Sequence, residues 1–420
     1  MRFLYSALLY LLMPLVLLHL AWLGLRQRGW WRRLPERFGF VPRRQQGAAV
    51  WVHAVSVGEV AAALPLVRHL AQRHGDGAVL VTTTTPAGSE RVLAALGDRV
   101  AHAYAPYDLP GAVSRFLDRV QPRCVIVMET ELWPNLYHAL GRRGAKIVIA
   151  NARLSPRSIG RYRAVRGLAA QTLAQCAAIA AQSEEDAARF RELGADPGRV
   201  HVLGNLKFDV ELPEAQVAAG RALRARWGTA RPVWVAASTH EGEEEAALRA
   251  HKILLARQRQ AVLILVPRHP DRFDAVARLA EQSGLRTMRR GALGDSAVLE
   301  GVQVLVGDSM GELAMYFGAA DIAFVGGSLV EVGGHNVLEP AALGLPVLFG
   351  PYMFNFEPAR ALLLDRGAAR QVDGSLELEP ALSKLFHDGA ARAAMGESGR
   401  SVLQANRGAL ARLTALLETL

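Results

Sequence analysis

Cysteine is nearly absent: Cys124 and Cys176 are the only two in 420 residues. They lie far apart in apolar surroundings and lack metal-ligand spacing. That excludes a disulfide framework and a thiolate metal centre, and fits buried thiols in a reducing compartment. No other cluster carries metal-ligand spacing. The chain also has no DNA- or RNA-binding signature and no aromatic–basic stacking face, so nucleic acid ranks last among anionic partners. Neither a Walker loop nor GxGxxG occurs, and nothing repeats at solenoid spacing. Lysine is scarce, four of 49 basic residues, so the net charge of +10 is carried by arginine. Such a balance suits anionic lipid or a phosphorylated substrate.

Long apolar runs are confined to one place. Phe3 to Leu25 is almost wholly apolar, interrupted by Pro14 and His19, and about 23 helical residues reach roughly 34 Å, enough to cross a bilayer. Arg26, Arg28, Arg32, Arg33, Arg37, Arg43 and Arg44 follow against the single acid Glu36. The positive-inside rule then places this flank and everything after it in the cytoplasm. A cleaved signal peptide fits worse, since the n-region is weak and no A-x-A site follows. A helix lying in the interface is also compatible with the one-sided arginines, and Trp22, Trp30 and Trp31 suit an interfacial belt. Membrane attachment is expected; spanning or lying flat stays open.

From residue 49 short apolar runs alternate with helical stretches, the signature of βαβ units and a parallel sheet. The runs are Ala49–Ser56, Ala78–Thr83, Cys124–Met128, Lys146–Ala150, Ala177–Ala181 and Val200–Leu203. Ligands gather outside the carboxyl ends of such strands, so the residues after each run are the candidates. Glu59 follows the first run at the start of a helix. It is either a favourable charge at the helix N-terminus or a general base. Thr82 to Thr85 follow the second as a hydroxyl-rich cap or a polar rim. Glu129 and Glu131 follow the third beside Trp133, where two idle carboxylates would be costly. Arg153 and Arg157 follow the fourth, and Lys207 stands after the last run, where an interdomain linker is expected.

The alternation restarts after 211–230 with Val233–Ala237, Ala261–Val266, Val302–Val306, Asp321–Val325 and Pro346–Phe349. Polar clusters again sit at the strand ends: Ser238 to Glu243, Pro267 to Phe273 with Arg268 and His269, and Gly307 to Leu313 with Met310, Gly311 and Glu312. Gly326 to Pro340 is the richest. Four glycines interleaved with His335, Asn336 and Glu339, between a strand and a helix, read as a cradle of backbone N–H groups for an anion. Asn336 is a candidate N-cap, and Glu339 a candidate acceptor for ribose hydroxyls. The alternative is a tight connection needing glycine only for backbone geometry. Two similar parallel-sheet domains with polar chemistry at facing edges describe the α/β GT-B glycosyltransferase architecture: two Rossmann-like domains facing a cleft, here with an N-terminal membrane helix.

Eight blocks, HAVSVGE, ETELWPN, NARLSPRS, GNLKFD, ASTHEGEE, PRHPDRF, GDSMGEL and GGHNVLEPA, run in order to about residue 360. Together they closely resemble the 3-deoxy-D-manno-octulosonic acid (Kdo) transferases of lipopolysaccharide synthesis. The resemblance implies an inverting, metal-independent enzyme without cofactor, using CMP-Kdo as donor and lipid IVA as acceptor at an anionic lipid surface. It would work on the cytoplasmic face of the inner membrane. It implies a membrane anchor and basic flank over 1–30, an acceptor-binding domain over 31–210, a linker over 211–230, a CMP-sugar-binding domain over 231–405 and a terminal helix over 406–420. By position Glu59 matches the catalytic base, and Glu129 and Lys207 match transition-state-stabilising residues. Arg268, His269, Met310, Gly311, Glu312, Asn336, Val337, Leu338 and Glu339 match CMP-binding segments. Leu329 departs from the family, where an aromatic is expected. The runners-up are a UDP-sugar enzyme such as a UDP-N-acetylglucosamine 2-epimerase, against which the membrane segment and ETELWPN speak, and a non-catalytic membrane-anchored nucleotide-binding protein.

Overall fold

The computed structural model describes residues 1–43, 47–293 and 301–420; Arg44 of the basic flank lies outside them. The chain divides into two compact units, Met1–Asp209 with Arg407–Leu420, and Val210–Asn406.

The sheet of the first unit contains β1 (Val50–His53), β2 (Val79–Thr83), β3 (Ala101–Tyr104), β4 (Cys124–Met128), β5 (Lys146–Ala152), β6 (Ala178–Ala181) and β7 (Val200–Val202). Their order is β3-β2-β1-β4-β5-β6-β7, and every pairing is parallel. Helices cover both faces, so β1, β2 and β6 bury every residue, and β4 and β5 all but their first. The strand order reverses between β1 and β4. At such a switch point the connecting helices leave on opposite faces, opening a crevice above the strand ends.

The second unit contains β8 (Val233–Thr239), β9 (Val262–Pro267), β10 (Thr287–Arg289), β11 (Val304–Val306), β12 (Ile322–Val325), β13 (Val347–Phe349) and β14 (Ala369–Gln371). Their order is β10-β11-β9-β8-β12-β13-β14, again wholly parallel. Its switch point lies between β8 and β12. The stretch 211–230, expected as a linker, carries the helix Glu214–Trp227, which packs on the helix Leu313–Ala319 within this unit. The two backbones approach closely at Gly220, where a Cβ would sit 2.0 Å from the Met315 carbonyl.

All eleven expected runs form strands, most with trimmed ends, while β5 and β8 each run two residues further. Three strands escaped, β3, β10 and β14, and all three are sheet edges. The C-terminal helix Ala409–Glu418 belongs to the first unit. Both oxygens of Asp209 cap it, accepting from the N–H groups of Gly408 and Leu410 at 2.6 Å each, while Ala409 and Leu413 are buried. Asp209→Ala is expected to cost about 1–2 kcal/mol, read as a lower urea midpoint.

The helix Arg2–Arg26 is long and apolar enough to cross a membrane. Phe3, Leu4, Leu8, Leu11, Leu15, Leu18, Trp22 and Leu25 form an exposed stripe at helical spacing. The opposite side rests on the first unit: Arg2 and Ser6 donate to Asn135 Oδ1 at 3.3 and 3.0 Å, and Leu20 and Gly24 are buried. Arg26, Arg28, Arg32 and Arg43 are exposed. Two other arginines of the flank are structural. Arg33 pairs with Glu36 at 2.7 Å, and buried Arg37 donates to the Thr84 carbonyl at 2.8 Å.

Candidate active site

In the first unit the chemistry collects above β1 and β4. Ser56 caps the helix Val57–His74, its hydroxyl oxygen accepting from the Glu59 N–H at 3.3 Å. The Glu59 carboxylate folds back, accepting from the Val55 N–H at 2.8 Å and the Ser56 hydroxyl at 3.2 Å. This reciprocal cap locks the side chain at the crevice floor. The charge at the helix N-terminus is thus a reciprocal cap, and its carboxylate stands at the carboxyl edge of the sheet. Burial pushes its carboxyl up to about 7, assisted by the charges of Glu129 and Glu131 and opposed by the Val55 N–H and the Ser56 hydroxyl. A carboxyl titrating there is half ionised near neutrality, which suits proton transfer.

Glu129 leaves β4 in left-handed backbone geometry, φ 56°, its N–H bound to the Ala150 carbonyl at 2.9 Å. At the end of β5, Asn151 does the same at φ 53°. Such geometry costs a side-chain-bearing residue roughly 1 kcal/mol or more and tends to gather at functional sites. Glu131 accepts from the Trp133 indole N–H at 2.7 Å, and the Trp133 ring meets the buried His53 imidazole edge-on at 4.9 Å. Burial pushes Glu131 up, whereas it lowers His53 to about 4.

Lys207 lies in the turn Leu206–Phe208 beyond β7, several strands from Glu59 in the sheet order. A polar brace ties that turn back to β5. Asn151 Oδ1 accepts from the Leu206 N–H at 2.9 Å, and Asn205 Oδ1 accepts from the Lys207 N–H at 3.0 Å. Gln182 links the two asparagines, accepting from Asn205 and donating to the Asn151 carbonyl at 2.9 Å each. Asn151→Ala is expected to cost about 1–3 kcal/mol, because the buried Leu206 N–H loses its acceptor, read as a lower urea midpoint. The threonine run is structural: Thr82 bonds Trp51 and His53, Thr84 bonds the Val55 carbonyl, and Thr85 caps the helix Pro86–Leu96.

In the second unit the groups gather above β8, β9, β11 and β12. The cradle expected over Gly326 to Pro340 is corrected in its first turn, where the amides are already occupied. The fully buried Glu243 carboxylate accepts from the N–H groups of Gly327 (2.7 Å), Ser328 (2.9 Å) and Leu329 (2.8 Å), and from that of His240 (2.9 Å). This nest is filled by the protein's own anion, and a ligand must bind beyond it. Gly327, at φ 65°, leaves room for the His335 ring, which a Cβ would approach to 3.0 Å.

Arg268 begins the β9 loop, its N–H bound to the Thr239 carbonyl at 3.0 Å, and His269 follows. Met310 is exposed, and Gly311 turns the backbone at φ 80°. Glu312 is held by Arg290 at 3.2 Å and by the Ser309 hydroxyl. Asn336 stands one residue before the N-cap of the short helix Leu338–Ala342, a position that Val337 takes instead; its Oδ1 accepts from the Leu338 N–H at 3.1 Å while Nδ2 donates to Glu339 at 2.9 Å. The side chains of Val337 and Leu338 are fully buried. Among the described residues no group of three or more His, Cys, Asp or Glu is placed to hold a metal ion.

A family model of 3-deoxy-D-manno-octulosonic-acid transferase (kdotransferase) matches residues 32–210. The 3-deoxy-D-manno-octulosonic acid transferase of Haemophilus influenzae is 43% identical, over 99% of this chain and 98% of the relative. This chain belongs to the Kdo transferase family. It is thereby a glycosyltransferase. The Bordetella pertussis member is 40% identical over 99% of each chain. Among solved structures, the UDP-GlcNAc 2-epimerase of Neisseria meningitidis, bound to UDP-GlcNAc, aligns with TM-score 0.57 and 14% identity, covering 88% of this chain and 100% of the epimerase. That likeness is one of fold: the two-Rossmann GT-B plan.

Against this Kdo transferase frame, sequence reasoning missed Glu243, Asn151 and the pairing of His240 with His335. Each lay in or beside a block already singled out. The available signal was position alone, a polar residue at the carboxyl end of a parallel strand.

Proposed function

We propose that this Kdo transferase moves Kdo from CMP-Kdo to a hydroxyl of lipid IVA in lipopolysaccharide synthesis, with inversion at the anomeric carbon and no metal ion. The observation that carries the reading is the buried, capped Glu59 at the β1/β4 switch point, with its carboxyl poised at about 7. Glu59 accepts the proton of the acceptor hydroxyl as that oxygen bonds to the anomeric carbon. The bond from that carbon to the CMP phosphate oxygen breaks, and CMP leaves with the electron pair. Glu129 stabilises the positive charge that develops on the sugar, and Lys207 meets its carboxylate. Arg268 and His269, with the backbone at Met310–Glu312 and Asn336–Glu339, hold the CMP moiety and the charge growing on it.

The exposed leucine stripe and the arginines at 26, 28, 32 and 43 support a helix that faces lipid at the cytoplasmic surface of the inner membrane, where the acceptor resides. Contacts at both ends of that helix with its own domain support an in-plane anchor over a spanning one.

The test is transfer from CMP-Kdo, generated in place, to lipid IVA in the presence of EDTA, with products resolved by mass. A gain of one or more Kdo units is expected. Loss of activity in EDTA that a divalent ion restores would overturn metal independence, and failure to modify lipid IVA with CMP bound would overturn the acceptor.

A further inference from the structure

The helix Arg2–Arg26 has a second face. Arg2, Tyr5, Ser6, Leu9, Met13 and Leu20 recur at helical spacing opposite the leucine stripe, and each is buried or half-buried in the first unit. An anchor needs apolar surface. This face instead begins with three polar side chains, Arg2, Tyr5 and Ser6, and all three are directed to one place.

That place is Asp108, in the loop after β3, and its partner Asn135. The helix Pro134–Arg142 has Trp133 at its N-cap position and no side-chain cap of its own. Asp108 supplies the cap from 27 residues away, Oδ2 accepting from the Asn135 N–H at 3.0 Å and Oδ1 from the Leu136 N–H at 2.7 Å. Asn135 Nδ2 donates back to the Asp108 carbonyl at 2.7 Å. The anchor helix completes the arrangement. The Tyr5 hydroxyl donates to the Asp108 carboxylate, and Arg2 adds its positive charge. Arg2 Nη1 and Ser6 Oγ donate to Asn135 Oδ1 at 3.3 and 3.0 Å. Charge-assisted bonds to a carboxylate are the stronger kind, so this dock is more than packing.

The capped turn directly follows the loop Glu129–Trp133. Trp133 both occupies the N-cap position and holds Glu131 through its indole N–H at 2.7 Å. Fully buried Tyr137, one turn into the same helix, donates to the Glu131 carbonyl at 2.9 Å. The loop is thus fastened to the first turn of Pro134–Arg142, and that turn is fastened to the anchor helix. The plainer reading is a helix cap beside a packing contact. Those two jobs could fall on different residues; here one carboxylate does both, on the helix that carries the Glu129 loop.

We propose that Tyr5 and Asp108 are positioning residues for transfer: through them the docked anchor helix sets the Glu129–Trp133 loop. An enzyme seated on lipid with this helix along the surface holds the loop in its working geometry. A helix that left the domain to span the bilayer would withdraw Arg2, Tyr5 and Ser6 and unlatch it. The proposal rests on the reading above that Glu129 serves the reacting sugar.

The experiment compares full-length wild type with Tyr5→Phe, which removes one hydroxyl and leaves the leucine stripe intact, and with Ser6→Ala. Transfer from CMP-Kdo is measured in phosphatidylethanolamine–phosphatidylglycerol vesicles carrying lipid IVA. Vesicle binding and hydrogen exchange over residues 129–137 are followed alongside. In Tyr5→Phe, kcat is expected to fall about tenfold, the scale of a small misplacement at a reacting centre. Both KM values and vesicle binding should stay at wild-type levels while exchange over 129–137 quickens. Ser6→Ala should move the same way by less. A kcat within about twofold of wild type in both variants would overturn the proposal and leave Asp108 a helix cap only. Turnover lost in step with vesicle binding would also overturn it, because Tyr5 would then act through anchoring. If wild type transfers no Kdo to lipid IVA, the reaction reading fails by itself; exchange over 129–137 then decides the latch, and unchanged exchange in Tyr5→Phe would overturn it.

Discussion

Glu59→Gln is expected to lower the single-turnover rate of transfer by about 10²–10⁴-fold, the range that a positioned general base supplies, with CMP affinity unchanged. The amide is the right probe because it keeps an oxygen for the Val55 N–H, so the helix cap survives. What disappears is the capacity to receive a proton. The segments proposed to bind CMP belong to the other unit, which is why binding is expected to separate from turnover. Quenched-flow transfer with mass-resolved lipid products reads the rate, and calorimetry reads the CMP affinity. A variant within threefold of wild type would assign the proton to another group, and Glu131 is the nearest alternative, because burial raises its carboxyl too.

Glu243→Ala is expected to destabilise the second unit by about 3–5 kcal/mol, the usual scale for breaking a buried charge-assisted network. Four backbone N–H groups converge on this one carboxylate, and alanine leaves them buried without an acceptor. Those amides fix both ends of the proposed donor site, the His240 loop and the Gly326–Leu329 turn. Any variant that still folds should therefore also bind CMP at least about tenfold more weakly. Urea unfolding, with CMP binding measured well below the transition, checks both. An unfolding midpoint equal to wild type would show that the nest is solvated and that Glu243 is dispensable.

Much of the architecture was legible because parallel strands buried on both faces must be continuously apolar. Edge strands escape that demand. Thr287–Arg289 and Ala369–Gln371 mix polar and charged residues with few apolar ones, and Ala101–Tyr104 holds a histidine, so none stands out as a run. Glu59 and Glu129 could be located from the sequence because Glu129 directly follows a strand and Glu59 opens the helix after one. Their pairing across the switch point follows from the strand order β1-β4, which no local pattern reveals. The glycine-rich turn misled for a related reason. Its amides do bind an anion, but that anion, Glu243, lies more than eighty residues away in sequence and arrives because β8 pairs with β12. The arginine flank divides similarly: Arg33 and Arg37 look like the exposed arginines around them until the fold turns them onto the sheet.

The wild-type pH–rate profile tests the central claim most directly. Single-turnover transfer, at saturating donor and acceptor, is followed from pH 5 to 9. A base must be ionised to act, so the rate should climb about tenfold per pH unit below the Glu59 midpoint and level off above it. With the carboxyl held at about 7, the break is expected close to neutrality. The same break should vanish in Glu59→Gln. A profile already flat from pH 5 upward, or a break near 7 that persists in the variant, would contradict Glu59 as the base.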